Sequence, residues 1–145
     1  MRVIVTGGRN YADERAVRSV LDYLRDRTGH LTVIQGGAGG ADQLARQWGW
    51  EQDGVSVVTV PANWHKHGKS AGPIRNRTML DQCSPDLVVA FPGGKGTASM
   101  MRLAKSAGVP VVMIHDQASP SRTSGRLRTA MEIARGKASG RLVGA

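Results

Sequence analysis

The sequence predicts one α/β domain, a doubly wound parallel sheet of about five strands with helices on both faces. Three observations predict it: short apolar runs alternate with helical patterns, glycines cluster directly after several of the runs, and a length of 145 residues suits one domain. The runs are β-branched and lack polar alternation, which indicates strands buried on both faces, as in parallel sheets covered by helices. We expect right-handed crossovers and the strand order 3-2-1-4-5.

The individual elements follow from the apolar runs and the helical spacing between them. The predicted strands are residues 2–5 (RVIV), 31–35 (LTVIQ), 55–60 (VSVVTV), 86–91 (DLVVAF) and 109–114 (VPVVMI). The predicted helices are residues 13–27, 41–52, 74–83, 97–107 and 123–135. In the first helix Val17, Leu21 and Leu24 recur at helical spacing, and Asp13 and Glu14 fall in the first turn, where the helix dipole favours acidic groups.

The C-terminal segment differs in composition from the rest of the chain. We assign residues 1–115 to the folded, ligand-binding domain and residues 116–145 to a basic C-terminal helix followed by a flexible tail. After Arg135 the chain contains few apolar groups, so residues beyond Gly136 are expected to be dispensable for folding. Two interpretations of the arginines stay open: a solvated terminus, or an arm for anion binding or assembly.

The glycine clusters are the main functional signal. They follow the first, second and fourth predicted strands, and in an open α/β sheet ligands bind beyond the carboxyl ends of the strands. Glycine lets the backbone approach a phosphate, and the N-terminus of the next helix favours an anion. The alternative is that these are tight turns and nothing more. The candidate ligand-binding residues of these loops are Gly7, Gly8, Arg9, Gly36, Gly37, Ala38, Gly39, Gly93, Gly94, Lys95, Gly96 and Thr97.

Four further candidates lie outside or just after these loops. Asp42 can accept a hydrogen bond from a ribose hydroxyl, or stabilise its own helix. Trp64 can stack on a base, or cover the core as a lid. Arg75 and Asn76 are expected to open a helix, where an arginine opposes the dipole unless an anion is near. Asp42 and Arg75 are also the only catalytic candidates, and no metal site is predicted.

Composition limits the classes of partner. The net charge of +9 favours an anionic partner, whereas an aromatic content of 4% is too low for a platform of stacked bases. No apolar run approaches the length of a membrane span, so no membrane partner is expected. The single cysteine, Cys83, suits a reducing cytoplasm. We expect a cytoplasmic homo-oligomer that binds a nucleotide-like small molecule, with nucleic acid as an alternative partner and no certain cofactor.

Four motifs together resemble a known family. VIVTGGR, GGAGGAD, PANWHKHGKSAGPIRNRTM and FPGGKGTASM occur in the order found in the YspA-like branch of the SLOG superfamily, and the similarity covers residues 2 to about 114. This superfamily groups DprA/SMF DNA-processing domains with the Lonely Guy (LOG) phosphoribohydrolases. The resemblance implies a Rossmann-like fold, a site for nucleotides or nucleotide-derived ligands, and a link to phage conflict or nucleotide signalling.

The motif FPGGKGTASM departs from the LOG pattern at one decisive position. LOG enzymes carry P-G-G-x-G-T-x-x-E with a catalytic glutamate at its end, and this chain has Met100 there. A thioether neither transfers a proton nor stabilises an oxocarbenium ion, so LOG-type activity is not expected. The favoured hypothesis is therefore a phosphate-binding loop in a module that senses or sequesters a nucleotide. A nucleotide hydrolase acting on an N-glycosidic or phosphoester bond and a DprA-like DNA-binding protein remain the alternatives.

Overall fold

The structure is a computed structural model that describes residues 1–115 and 120–143, with side chains described as far as Lys137. Its centre is one parallel five-stranded sheet, which consists of β1 (Arg2–Thr6), β2 (Leu31–Gln35), β3 (Val55–Thr59), β4 (Leu87–Ala90) and β5 (Val111–Met113). The strand order is β3-β2-β1-β4-β5, with every neighbouring pair parallel. The predicted Rossmann-like α/β fold and its strand order are confirmed.

Within residues 1–115 and 120–143, the helices that accompany the sheet are α1 (Glu14–Asp26), α2 (Ala41–Glu51), α3 (Trp64–His67), α4 (Ala71–Gln82), α5 (Lys95–Ser106) and α6 (Pro120–Val143), with a 3-10 turn at Gly68–Ser70. Helix α4 begins at Ala71, three residues before the predicted start at residue 74. Pro73 does not prevent this, because it falls in the first turn, where proline is tolerated. The sequence analysis expected Arg75 to open the helix, but Arg75 lies in the second turn. In the described part of the chain, no helix combines the length and apolar character needed to cross a bilayer.

Both faces of the sheet are covered, and alternate residues of each central strand point to opposite faces. Val3 and Val5 of β1 belong to a core shared with α1, α2 and α6, which we call the first face. Ile4 belongs to a second core, built with Met79 of α4 and Met100 of α5, which we call the second face. This division follows from the parallel crossovers, which place successive helices over the sheet.

The prediction that every strand is buried on both faces is right only for the three central strands. All residues of β2 and β4 are buried, and so is the middle of β1. The edge strands β3 and β5 are only partly buried, because each has a neighbour on one side alone. Apolar composition did not distinguish an edge strand from a central one.

Helix α6 packs on the first face through one apolar side. Leu127, Ala130 and Met131 are buried in that core, and Ala134 is buried beside them. Arg135 Nη2 donates to the carbonyl of Arg27 at 3.0 Å. The helix predicted over residues 123–135 lies within α6, which extends to Val143, where the sequence indicated loose chain. Residues 116–119, at the predicted domain boundary, lie outside the described residues.

The fold predicts how the C-terminal segment responds to truncation. A chain ending at Gly136 keeps the four buried side chains of α6, so we expect its free energy of unfolding to fall by less than about 1 kcal/mol. The matched change is Met131→Asp, which places an unpaired charge in the core and is expected to cost several-fold more. Urea denaturation followed by circular dichroism measures both. An unfolded product from the truncated chain would assign a structural role to the residues beyond Gly136.

Candidate functional site

The main candidate site is a cavity at the carboxyl ends of β1 and β4, where the strand order reverses direction. Its volume is about 620 Å³, within the range of small-molecule sites. The residues that line it come from the end of β1, from the first, second and third glycine loops (residues 7–9, 36–40 and 93–96), from the start of α2, from the segment 64–76 and from α5. They are Thr6, Gly7, Gly8, Arg9, Ala38, Asp42, Trp64, Lys69, Gly72, Pro73, Arg75, Asn76, Gly94, Lys95, Gly96, Thr97, Ser99 and Arg102.

Four glycines that were predicted to contact a ligand do not line the cavity: Gly36, Gly37, Gly39 and Gly93. Their role is close packing behind it. A Cβ on Gly93 would lie 2.2 Å from Thr97 Oγ1 and 2.7 Å from the backbone nitrogen of Gly8. The first and third glycine loops can therefore touch only because Gly93 carries no side chain.

Arg75 and Asn76 join the second and third glycine loops. Arg75 Nη1 donates to the carbonyl of Gly36 at 2.8 Å, and Arg75 Nε donates to Asn76 Oδ1 at 2.9 Å. Asn76 Nδ2 in turn donates to the carbonyl of Gly96 at 3.2 Å. A Cβ on Gly36 would lie only 1.9 Å from Arg75 Nη1, so a glycine is needed where the guanidinium approaches the backbone. We call this chain of hydrogen bonds the Arg75–Asn76 bridge.

Asp42 braces the second glycine loop. Its Oδ2 accepts hydrogen bonds from the backbone N–H groups of Gly36 at 3.1 Å and Ala38 at 3.2 Å. Burial raises the pKa of the Asp42 carboxyl, and this effect is opposed by the two N–H groups and by the nearby cations Arg75 and Arg46. The carboxylate therefore holds its own loop, a role that neither of the two sequence interpretations included.

Positive charge dominates the cavity. Five cationic side chains line it, against the single carboxylate of Asp42: Arg9, Lys69, Arg75, Lys95 and Arg102. None of the five forms an ion pair with another residue whose side chain is described. Burial lowers the pKa of Arg75, and the charge of Arg9 lowers it further, whereas Asp42 raises it. The cavity therefore holds positive charge that its one lining carboxylate, Asp42, offsets only in part.

The N-terminus of α5 adds to this field. Its N-cap is Gly94, which has no side chain to bond the first N–H groups of the helix, and Lys95, Gly96 and Thr97 of the first turn line the cavity. Helix α1 provides a contrast, because its N-cap Asp13 accepts from the N–H of Ala16 at 3.0 Å. An uncapped helix N-terminus that faces a cavity favours a bound anion.

Trp64 lies at the rim and not over the core. Its side chain is 47% exposed, and no residue of α3 is buried. The guanidinium carbon of Arg9 lies 5.2 Å from the centroid of the Trp64 ring, a cation–π contact across the cavity mouth. This placement excludes the lid over the core and leaves the ring accessible to a planar ligand group.

Two comparisons with known proteins agree with this architecture. The model of the YspA, cpYpsA-related SLOG family matches residues 1–67. The Gene 61 protein of Mycobacterium phage D29 is 40% identical over 123 residues, a match that covers 80% of this chain and 98% of that protein. The chain belongs to the YspA, cpYpsA-related SLOG family. Membership indicates a nucleotide-related function in general terms, and the phage relative is compatible with the expected link to phages.

In this SLOG-family chain Met100 lies on the side of α5 that faces away from the cavity. It is fully buried in the core of the second face with Ile4 and Ile34, and it does not line the cavity. Thr97 and Ala104 are the other buried residues of the helix. Position 100 therefore contributes to packing.

Six residues of the SLOG-family cavity were missed by the sequence analysis: Thr6, Lys69, Gly72, Pro73, Ser99 and Arg102. One signal was available for two of them. Lys95, Ser99 and Arg102 are separated by four and three residues, so they share one face of α5, and that face is opposite the buried one. The same periodicity that identified core residues thus identifies the polar face that lines a site.

Among the described residues no cluster of His, Cys, Asp and Glu side chains suits a metal ion.

The Arg75–Asn76 bridge predicts an asymmetry between two neighbouring arginines of α4. Arg75→Lys keeps the charge but cannot reproduce the two directed hydrogen bonds, so we expect a loss of about 1–3 kcal/mol in the free energy of unfolding. Arg77→Lys, an exposed change on the same helix, is expected to stay within about ±0.5 kcal/mol. Urea denaturation measures both variants. Equal stabilities would show that the bridge does not hold the loops together.

Proposed function

We propose that the chain binds a nucleotide or nucleotide-derived phosphate ligand in the cavity at the carboxyl ends of β1 and β4, as a cytoplasmic module that senses or sequesters it. The observation that carries the proposal is the charge balance of the cavity: five cations face one carboxylate, and that carboxylate already holds two backbone N–H groups. A cavity of this charge and size favours a small anion. The family relationship supports a nucleotide as the source of that anion.

The contacts support a specific orientation of this ligand. The phosphate lies against the first turn of α5, where uncapped N–H groups, the helix dipole and Lys95 act together. The loops after β1 and β4 approach closely there, since the N–H of Gly8 donates to the carbonyl of Pro92 at 2.9 Å. A base or similar planar group stacks on the exposed ring of Trp64 at the rim.

The hydrolase alternative lacks a suitably placed acid or base. Met100 is in the core, and Asp42 is the only carboxylate among the lining residues. Removing a positioned acid or base typically costs about 10²- to 10⁴-fold in rate. The assay is incubation with nucleoside monophosphates and detection of released base and ribose phosphate. If the natural chain released base efficiently and Asp42→Asn abolished that release, the chain would be a nucleotide hydrolase and the binding-only proposal would be wrong.

The DNA-binding alternative has its support in α6, which carries several arginines but contributes no residue to the cavity. Binding of this kind depends on phosphate contacts along a duplex, so its affinity falls steeply with salt. A small ligand held in a cavity shows a shallower dependence. Titration of long DNA at several salt concentrations distinguishes the two. The expected homo-oligomer stays a prediction beside both.

Gly94 offers the sharpest test of the phosphate position, because a Cβ built there meets no atom within 4 Å. In Gly94→Asp the carboxylate repels an anion and caps the α5 N–H groups itself, so we expect at least a tenfold loss of nucleotide affinity. Because aspartate is a favoured N-cap, the fold is expected to be at least as stable. Gly94→Ala adds the same Cβ without charge and is expected to bind like the natural chain.

Isothermal titration calorimetry with nucleoside monophosphates measures the affinities of these variants, and thermal melting measures their stabilities. Undiminished binding by Gly94→Asp would place the phosphate elsewhere. Equal losses in the aspartate and alanine variants would show that any side chain disturbs this loop, and would remove the support for a charge effect.

A further inference from the structure

The cavity extends well beyond the position proposed for the phosphate. Along α5 its lining runs from Lys95 through Ser99 to Arg102. A separation of seven residues in an α-helix corresponds to about 10 Å along the axis. A single phosphate seated at the first turn of α5 is much smaller than this span, so it leaves the outer end of the cavity unused.

Two of the cations that line the cavity lie outside the first turn of α5. Lys69 comes from the 3-10 turn before α4, and Arg102 comes from the third turn of α5. Within the described residues neither side chain forms an ion pair or a hydrogen bond to protein, and Ser99 adds a hydroxyl between α5 and the start of α4. Exposed cations on a convex surface are ordinary, but these two line a concavity that already holds three others.

Among the residues whose side chains are described, no acidic group forms an ion pair with Lys69 or Arg102. Asp42, the carboxylate of the cavity, is engaged with the second glycine loop at the inner end. One acid, Asp81, lines an adjoining hollow together with Arg77 and Arg102. Asp81 lies beyond ion-pair distance of both arginines. The positive charge of the cavity is thus distributed over two places along α5.

We infer that the ligand carries a second anionic group in addition to the phosphate at the first turn of α5, and that Lys69, Ser99 and Arg102 bind this second group. The inference rests on the proposed function, because it assumes that the first phosphate is where Gly94 and Lys95 hold it. The ligand class is a nucleotide or nucleotide derivative with two anionic groups separated along its length. A chain of linked phosphates and two phosphates at opposite ends of a sugar both satisfy this chemistry.

Base-free probes test this without knowledge of the base. Inorganic phosphate, tripolyphosphate and a pentose 1,5-bisphosphate are titrated into the full chain at constant ionic strength. We expect tripolyphosphate or the bisphosphate to bind at least tenfold more tightly than phosphate, because a second charge-assisted contact is made. The probe with the larger gain identifies whether the second group follows directly on the first or lies across a sugar.

Arg102→Gln separates this effect from general attraction to a cationic protein. It is expected to reduce the advantage of the longer probe at least fivefold while leaving phosphate affinity within about twofold. Lys105→Gln removes the same charge from the same helix at a position that does not line the cavity, and is expected to change neither value. Gly94→Asp is expected to weaken all three probes.

The outcomes distinguish the two proposals. In one outcome phosphate binds and Gly94→Asp weakens its binding, but the longer probes bind no more tightly than phosphate, or their advantage is unchanged in Arg102→Gln. The inner site then stands and the second anionic group is refuted. If Lys105→Gln reduces the advantage as much as Arg102→Gln, the gain is unspecific and the inference is likewise refuted. If none of the probes binds the natural chain, the proposed function and the inference both fail.

Discussion

The shape of the site depends on the contacts of the half-buried guanidinium of Arg75. The second and third glycine loops are distant in sequence and contribute almost no side chains with which to hold each other. Arg75 bonds the carbonyl of Gly36 in one loop and, through Asn76, reaches the carbonyl of Gly96 at the start of α5. Helix α4 thereby fixes the distance between the backbones of the two loops, which have almost no side chains that could fix it. A precisely positioned backbone is what a phosphate-binding loop requires.

This arrangement places the protein under an electrostatic constraint. Burying Arg75 near Arg9 leaves charge that Asp42 offsets only in part, which is why the pKa of Arg75 is lowered. Lys95 and the uncapped first turn of α5 increase the positive potential at the same place. A bound anion relieves this repulsion, so binding and stability are coupled, and a ligand that binds only the folded chain raises its stability. In the proposed complex the glycine loops provide the space for the anion and the cations provide the attraction.

The sequence predicted those parts of the molecule that depend on local periodicity. Strand order, the cores on the two faces and the meeting of the glycine loops follow from buried runs and from the rule that ligand sites lie at the carboxyl ends of strands. It did not predict which glycines face the cavity. A side chain on Gly36 would clash with Arg75, and one on Gly93 would clash with Thr97, and both of these neighbours belong to other elements. Lys69 was missed for the same reason, since its place in the cavity depends on how the 3-10 turn packs. Tertiary contacts decide these positions, and local patterns do not contain them.

The central claim is that this cavity holds a phosphorylated small molecule. The most direct measurement is mass spectrometry of the small molecules released when the purified protein is denatured, compared with the Gly94→Asp variant purified in the same way. We predict a phosphate-containing, nucleotide-like compound in stoichiometric amount from the natural chain and its loss from the variant. The same profile of released molecules from both proteins would contradict the account.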